Sequence, residues 1–203
     1  MKNKIISIVL CLVILLSFAA CSNSKKDTTE STTDAPETTT EATTKMVDES
    51  LIDVEFTLPA SFFSEDDPAT EELSDKQKKQ GIKKAVVNED GSVTYTLSKK
   101  AFKELKKSMY EEISKQLNAI NKDYPCVKKV EFNKDFSKID LYVNAEEYEG
   151  LMNAFAVYTA GLYGQMYQAY SGTDSDKLSV DVNVINVDTN EKIEDAHYPV
   201  KES

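Results

Sequence analysis

The chain of 203 residues contains no arginine and no tryptophan, and it has a single histidine, His197. Arginine binds phosphate and carboxylate groups through two parallel hydrogen bonds, so its absence removes the usual phosphate clamp. The formal net charge is −11, whereas a nucleic-acid-binding protein needs a basic face. The composition therefore argues against nucleic acid as a partner, and we expect the acidity to favour solubility.

Cysteine is also scarce outside the N-terminal segment, which holds Cys11 and Cys21 and leaves Cys126 alone in the body of the chain. One thiol cannot build an intramolecular disulfide framework. We expect Cys126 to be buried beside an apolar strand, with a disulfide between two chains as the open alternative. One histidine and one such cysteine cannot supply the nitrogen and sulfur ligands of a zinc site.

Catalytic motifs are missing as well. A Ser/His/Asp or Cys/His relay would have to use His197, and the chain has no G-x-S-x-G, G-x-G-x-x-G or P-loop pattern. The acidic stretches SEDDPATEE (64–72) and DTNEKIED (188–195) could form calcium sites or acid–base pairs. The first is better explained as a helix start and the second as a hairpin turn. We therefore predict no catalytic residue, no cofactor and no metal.

One long apolar run is present, IISIVLCLVILLSFAA at residues 5–20, after two lysines. It is short of the roughly 20 residues that span a membrane and has the length of a signal-peptide core. The residues Ala19, Ala20 and Cys21 that end it resemble the bacterial lipobox, although Phe18 replaces the usual aliphatic residue. The resemblance implies a signal peptide over 1–20, acyl chains on Cys21 and a membrane-anchored protein facing the outside of the cell. Plain secretion and an uncleaved anchor are the alternatives.

Residues 21–47 follow as a segment rich in Thr, Ser and Glu, without large apolar side chains from Ser22 to Thr44. Nothing in such a segment can offset the entropy of ordering, so we predict a disordered spacer, with a glycosylated stalk as the alternative. A single folded domain is predicted over 48–200.

Hydrophobic periodicity predicts an α+β domain with element order β-α-ββ-α-ββ-α-ββ. Alternation predicts a first strand that ends at Pro59 and three hairpins that turn at NEDG, NKDF and DTNE. Helices are expected from Asp67 to Gly81, from Ser98 to about Asn121 and from Ala145 to about Ser171, the last with a capping box of Asn144 and Glu147. The hairpin–cap–helix unit occurs twice, and a phase change near Ile185 suggests a bulge. We expect one antiparallel sheet with helices on one face, in two layers.

The helix predicted after Asn144 is apolar on nearly all sides, which is typical of a buried central helix. Its expected core stripe is Tyr148, Leu151, Met152, Phe155, Tyr158, Leu162 and Met166, and Gly161 and Gly164 permit close approach by a neighbour. Tyr163, Tyr167 and Tyr170 extend the apolar surface. The alternative is that these three tyrosines form a partner-binding edge, because Tyr and Met are favoured in interfaces.

The segments VEFTLPASFF, NEDGSVTYTLSKKAFKELKKSMYEEI and VDVNVINVDTNEKI are similar in layout to a group of small Gram-positive surface lipoproteins of unknown function. Some of these are labelled as antigen I/II N-terminal-like. The resemblance implies a location and a fold but no activity. The sequence therefore favours a lipid-anchored, non-enzymatic module that binds a protein, a wall component or a small ligand. A small wall or sugar hydrolase that uses carboxylates and a solute-binding lipoprotein of a transporter are the alternatives.

Overall fold

The computed structural model describes residues 48–148 and 151–200 of the chain. The predicted signal peptide, Cys21 and the predicted spacer lie outside the described residues. A compact unit begins at Glu49 and has the α+β composition and the element order expected from the sequence. Its elements are β1 (Asp53–Leu58), α1 (Asp75–Lys79), β2 (Ile82–Val87), β3 (Val93–Ser98), α2 (Lys99–Asn118), β4 (Val127–Phe132), β5 (Lys138–Val143), α3 (Leu151–Tyr170), β6 (Val180–Asn186) and β7 (Lys192–Tyr198).

The expectation of one antiparallel sheet is wrong, because the strands form two sheets. The first has the order β1-β3-β2 and is antiparallel throughout. The second has the order β4-β5-β6-β7, and its central pair, β5 and β6, is parallel. The 20-residue helix α3 connects these two strands and returns the chain along the sheet, which is the crossover that parallel strands require. Alternation within each strand could not reveal this direction.

Each sheet buries one face. In the second sheet Val180, Val182 and Val184 of β6 are fully buried, while Asp181 and Asn183 between them point the other way. In the first sheet the buried residues of β3 are Val93, Tyr95 and Leu97. The predicted phase change in β6 is confirmed, since the β6–β7 register shifts between Val184 and Ile185.

Two helix starts differ from the sequence-based expectation. The helix expected from Asp67 begins only at Asp75, where Ser74 and Gln77 form a capping box: the Gln77 amide donates to Ser74 Oγ (3.3 Å), and the Ser74 amide donates to Gln77 Oε1 (2.8 Å). Asp67 instead exchanges backbone hydrogen bonds with Ser64. Residues 64–72 include only two apolar side chains whose packing on the core could offset the entropic cost of forming a helix.

The third helix begins at Leu151 rather than at Ala145. Asn144 Oδ1 accepts the backbone N–H groups of Glu146 and Glu147, both at 3.0 Å, but these residues form a turn. The backbone N–H of Asn144 donates to the Cys126 carbonyl across the β4–β5 pair, and the Glu147 carboxylate contacts Lys128. The return bond of the predicted capping box is therefore replaced by strand pairing. By contrast, Ser98 caps α2 as predicted.

The two repeated hairpins share a turn with the same hydrogen bonds. Asn88 Nδ2 donates to Ser92 Oγ (2.9 Å), and Ser92 Oγ donates to Asp90 (2.6 Å). In the second turn Asn133 Nδ2 donates to Ser137 Oγ (2.8 Å), which donates to Asp135 (2.9 Å). The fourth turn residue has a left-handed backbone in both cases.

That fourth residue is Gly91 in the first turn, with φ 81°, and Phe136 in the second, with φ 54°. Phenylalanine rarely adopts this conformation, because its Cβ crowds the backbone. Phe136 is fully buried, and its ring packs on Phe132 (4.9 Å between centroids) and Tyr167 (4.8 Å). The second turn therefore accepts backbone strain and places an aromatic ring in the core.

Helix α3 is the central core helix, as predicted. The expected close approach at its glycines is confirmed: a Cβ on Gly161 would lie 2.2 Å from the Tyr198 ring, and a Cβ on Gly164 would lie 2.7 Å from the Phe136 carbonyl oxygen. The buried face includes the small residues Ala156, Ala160 and Ala169 together with Met166 of the predicted stripe. Tyr158 of that stripe is 47% exposed.

Candidate functional site

The three tyrosines of the predicted partner-binding edge do not form one exposed surface. Tyr163 is 6% exposed and belongs to the core. Tyr167 packs edge-on against Phe136 and against Tyr110 of α2, with ring centroids 4.8 and 6.0 Å apart. The Tyr170 ring lies 5.8 Å from that of Phe56 in β1, and burial raises the pKa of its hydroxyl. Tyr163 is thus unavailable to a partner, and the other two join α3 to α2 and to the first sheet.

An open groove of about 450 Å³ lies instead on the outer face of the second sheet, across β5, β6 and β7. Strand register explains why polar side chains meet there. Asp140 of β5 is opposite Asn183 of β6, which is opposite Asp195 of β7. The neighbouring row joins Lys138, Asp181 and His197 in the same way. We refer to the open groove as the sheet groove. It is lined by Ser137, Lys138, Ser179, Asp181, Asn183, Lys192, Asp195 and Ala196.

One hydrogen bond between strands and two ion pairs within strands connect the polar side chains of the sheet groove. Asn183 Nδ2 donates to Asp140 Oδ1 at 2.7 Å, and Lys138 Nζ lies 2.9 Å from the other oxygen of the same carboxylate. This hydrogen bond to Asp140 raises the pKa of Lys138, so the lysine stays charged. On the β7 side, Lys192 Nζ lies 2.8 Å from Asp195. The sheet groove therefore offers donors and acceptors of both signs with little net charge.

On the β4 side of the sheet groove, Tyr142 of β5 contacts two charged residues of β4. Tyr142 Oη donates to Glu131 at 3.0 Å, and this bond raises the pKa of the tyrosine. The Lys129 ammonium group lies 4.8 Å from the centre of the Tyr142 ring and 2.5 Å from Glu131. Polar and aromatic groups therefore extend along the outer face beyond the sheet groove.

His197 lies at the rim of the sheet groove, with Nδ1 2.8 Å from Asp181 Oδ1. A carboxylate at this distance accepts a hydrogen bond from Nδ1–H, and in that tautomer Nε2 is free to accept. A nucleophilic relay would also need a hydroxyl or thiol next to that nitrogen. Among the described residues, the hydrogen-bond partner of the His197 ring is the Asp181 carboxylate, which is not a nucleophile of this kind. Ser137 Oγ is already bound within its own turn.

Cys126 is 3% exposed at the start of β4, in agreement with the expected burial. Burial raises the pKa of its thiol, which keeps it protonated at neutral pH. Within residues 48–148 and 151–200, no group of three His, Cys, Asp or Glu side chains could hold a metal ion. In the same residues no helix combines the length and the apolar character needed to cross a membrane.

Comparisons with protein-family models, with curated proteins and with solved structures returned no significant match. The resemblance to Gram-positive surface lipoproteins therefore stays a prediction from sequence.

Sequence reasoning missed the sheet groove, although part of the signal was present. Asp181 and Asn183 alternate with three buried valines, which placed them on an exposed face. Asn183 bonds to Asp140, which lies 43 residues upstream, and Asp181 bonds to His197, which lies 16 residues downstream. The parallel register of β5 and β6 decides that Asp140 meets Asn183, and no local pattern encodes that register.

Proposed function

We propose that this protein is a lipid-anchored extracytoplasmic binding module, attached to the membrane through Cys21, without catalytic activity. The observation that carries the binding role is the sheet groove, in which paired donors and acceptors of both signs face solvent. Such a surface suits a ligand rich in hydroxyl and amide groups, since each ligand group can replace one partner of an existing pair. The glycan and peptide chains of a cell wall have this chemistry, and an extracytoplasmic anchor would keep the module within reach of them.

The anchor is tested by replacing Cys21 with alanine. The unchanged protein is expected to incorporate a fatty-acid label and to remain with membranes, whereas the Cys21→Ala protein should lose the label. A Cys21→Ala protein that keeps the label would refute the assignment of the acyl chains to this residue. The binding role can be tested separately, because it does not depend on the lipid.

Binding is tested by sedimentation of residues 46–203 with purified peptidoglycan. Removing the groove side chains of Asn183 and Lys192 together should weaken binding by about thirtyfold, since each lost hydrogen bond contributes roughly 1 kcal/mol. The matched control is Lys84→Ala, which removes an exposed lysine from the other sheet. Equal binding by the double variant and by the control would contradict the assignment of the ligand to the sheet groove.

A hydrolase is the second candidate, and the contact between His197 and Asp181 is the observation that favours it. The imidazole of His197, held at Nδ1 by the Asp181 carboxylate, could accept a proton from water at Nε2. If this group is a general base, His197→Ala should abolish the release of reducing sugar or free amine from peptidoglycan. If the protein only binds, the wild-type protein should release neither product.

A further inference from the structure

A second cluster lies on the opposite face of β7 from the sheet groove, beside α3. Glu194, Ala196 and Tyr198 pair with Val184, Val182 and Val180, whose side chains are buried on the helix side of the sheet. Asp195 and His197, between them, belong to the groove face. The side chains of Glu194 and Tyr198 therefore point toward α3, where Tyr148 bonds to Glu194 and Tyr158 lies beside Tyr198.

Short contacts hold this cluster together. Tyr148 Oη donates to Glu194 Oε2 at 2.9 Å. The ring centroids of Tyr158 and Tyr198 lie 6.2 Å apart with an interplanar angle of 71°, so the two rings meet edge to face and are not stacked. Tyr198 lies directly on the backbone of α3, because Gly161 has no side chain at that point. We call Tyr148, Tyr158, Tyr198 and Glu194 the tyrosine cluster.

The tyrosine cluster is accessible to a ligand. Tyr158 is 47% exposed, Glu194 is exposed, and Tyr148 and Tyr198 are half-buried. Burial raises the pKa values of Tyr148 and Tyr198, and the nearby Glu194 carboxylate raises them further. The phenols are thus neutral at physiological pH, and the carboxylate carries the negative charge.

The surrounding sequence adds to that charge. The turn before β7 contributes Asp188 and Glu191, whereas Asp195 is paired with Lys192 at the sheet groove. Electron-rich ring faces beside a carboxylate attract organic cations, and a cation within about 6 Å of a ring centre gains the most. An anionic ligand would be repelled by the Glu194 carboxylate.

We propose that the tyrosine cluster binds an organic ammonium group, either a methylated ammonium or the primary ammonium of a lysine-like side chain. Tyr158 and Tyr198 contact the cation with their rings, and Glu194, oriented by Tyr148, neutralises it. This proposal does not depend on the sheet groove, which lies across the sheet and has different chemistry.

The test uses the full chain in detergent micelles, labelled with ¹³C in its tyrosine rings and observed by NMR. Tetramethylammonium and n-butylammonium are titrated separately, with tert-butanol as the neutral analogue and potassium as the inorganic cation. We expect saturable shifts of the Tyr158 and Tyr198 signals with one or both ammonium ions and not with tert-butanol or potassium. The preferred ammonium identifies the source, a methylated head group or a lysine-like amine. Equal response to tert-butanol, or no saturable response to either ammonium ion, overturns the proposal.

Matched variants locate the site. Glu194→Gln and Tyr158→Leu should each weaken ammonium binding about two- to fivefold, as expected for the loss of one charge or cation–π contact. Tyr158→Phe keeps the ring and should retain binding. Asp195→Asn removes the adjacent carboxylate on the other face of β7 and should leave binding unchanged. If Asp195→Asn weakens binding as much as Glu194→Gln, general acidity rather than the tyrosine cluster attracts the ion, and the proposal fails.

Discussion

Replacing Phe136 with glycine tests whether the strained hairpin turn is retained for its buried ring. The change relieves a left-handed backbone that costs a non-glycine residue about 1–2 kcal/mol. It also deletes a side chain that is fully buried between Phe132, Tyr110 and Tyr167, and removing such a ring costs about 3–5 kcal/mol. The expected net effect is a loss of roughly 1–4 kcal/mol in the free energy of unfolding.

The assay is urea unfolding of residues 46–203, followed by circular dichroism. The equivalent turn supplies the control, since Gly91 has φ 81° and a Cβ at that position would lie 3.3 Å from Ala60 Cβ. Gly91→Ala should cost about 1–2 kcal/mol through the backbone term, without the loss of a ring. If Phe136→Gly is as stable as the unchanged domain, the ring does not outweigh the strain and the reasoning is refuted.

Two further changes probe the packing and the N-terminal contact of the domain. Gly164→Ala places a Cβ 2.7 Å from the Phe136 carbonyl oxygen and 2.8 Å from Val180. Overpacking of this kind should lower the free energy of unfolding by about 1–3 kcal/mol. An unchanged urea midpoint would contradict the close approach. The Lys103 and Lys99 ammonium groups lower the pKa of Glu49 below its ordinary value of 4.5, so their stabilising contact is complete above that value and is lost as the pH falls through the lowered pKa. NMR titration of the Glu49 carboxyl should give a midpoint below 4.5, and Lys103→Ala should move it back upward; an unmoved midpoint would show that Lys103 is not the main cause.

Local patterns predicted the parts of the fold that depend on local chemistry. The strands β4 and β5 lie on either side of the predicted NKDF turn, and Ser98 caps α2 at the predicted start of that helix. These features depend on alternation, turn residues and capping, all of which lie within a few residues of one another.

Features that depend on distant partners were not predictable in the same way. The parallel pairing of β5 and β6 follows from the path of α3 across the sheet, and the sheet groove follows from that pairing. The predicted stripe of α3 is right at Met166, which is buried, and wrong at Tyr158, which is 47% exposed, while small residues such as Ala156 and Ala160 fill part of the buried face. Residue type predicted burial of the helix as a whole but not its orientation.

The most direct measurement for the proposed function is mapping of amide chemical shifts in residues 46–203 as soluble peptidoglycan fragments are added. We expect the largest shifts at Asp140, Asn183 and Asp195 on the outer face of the second sheet, with small shifts at Thr57 and Thr96 of the first sheet. Shifts confined to the first sheet, or no shifts at saturating concentrations of fragments, would contradict a ligand-binding role for the sheet groove.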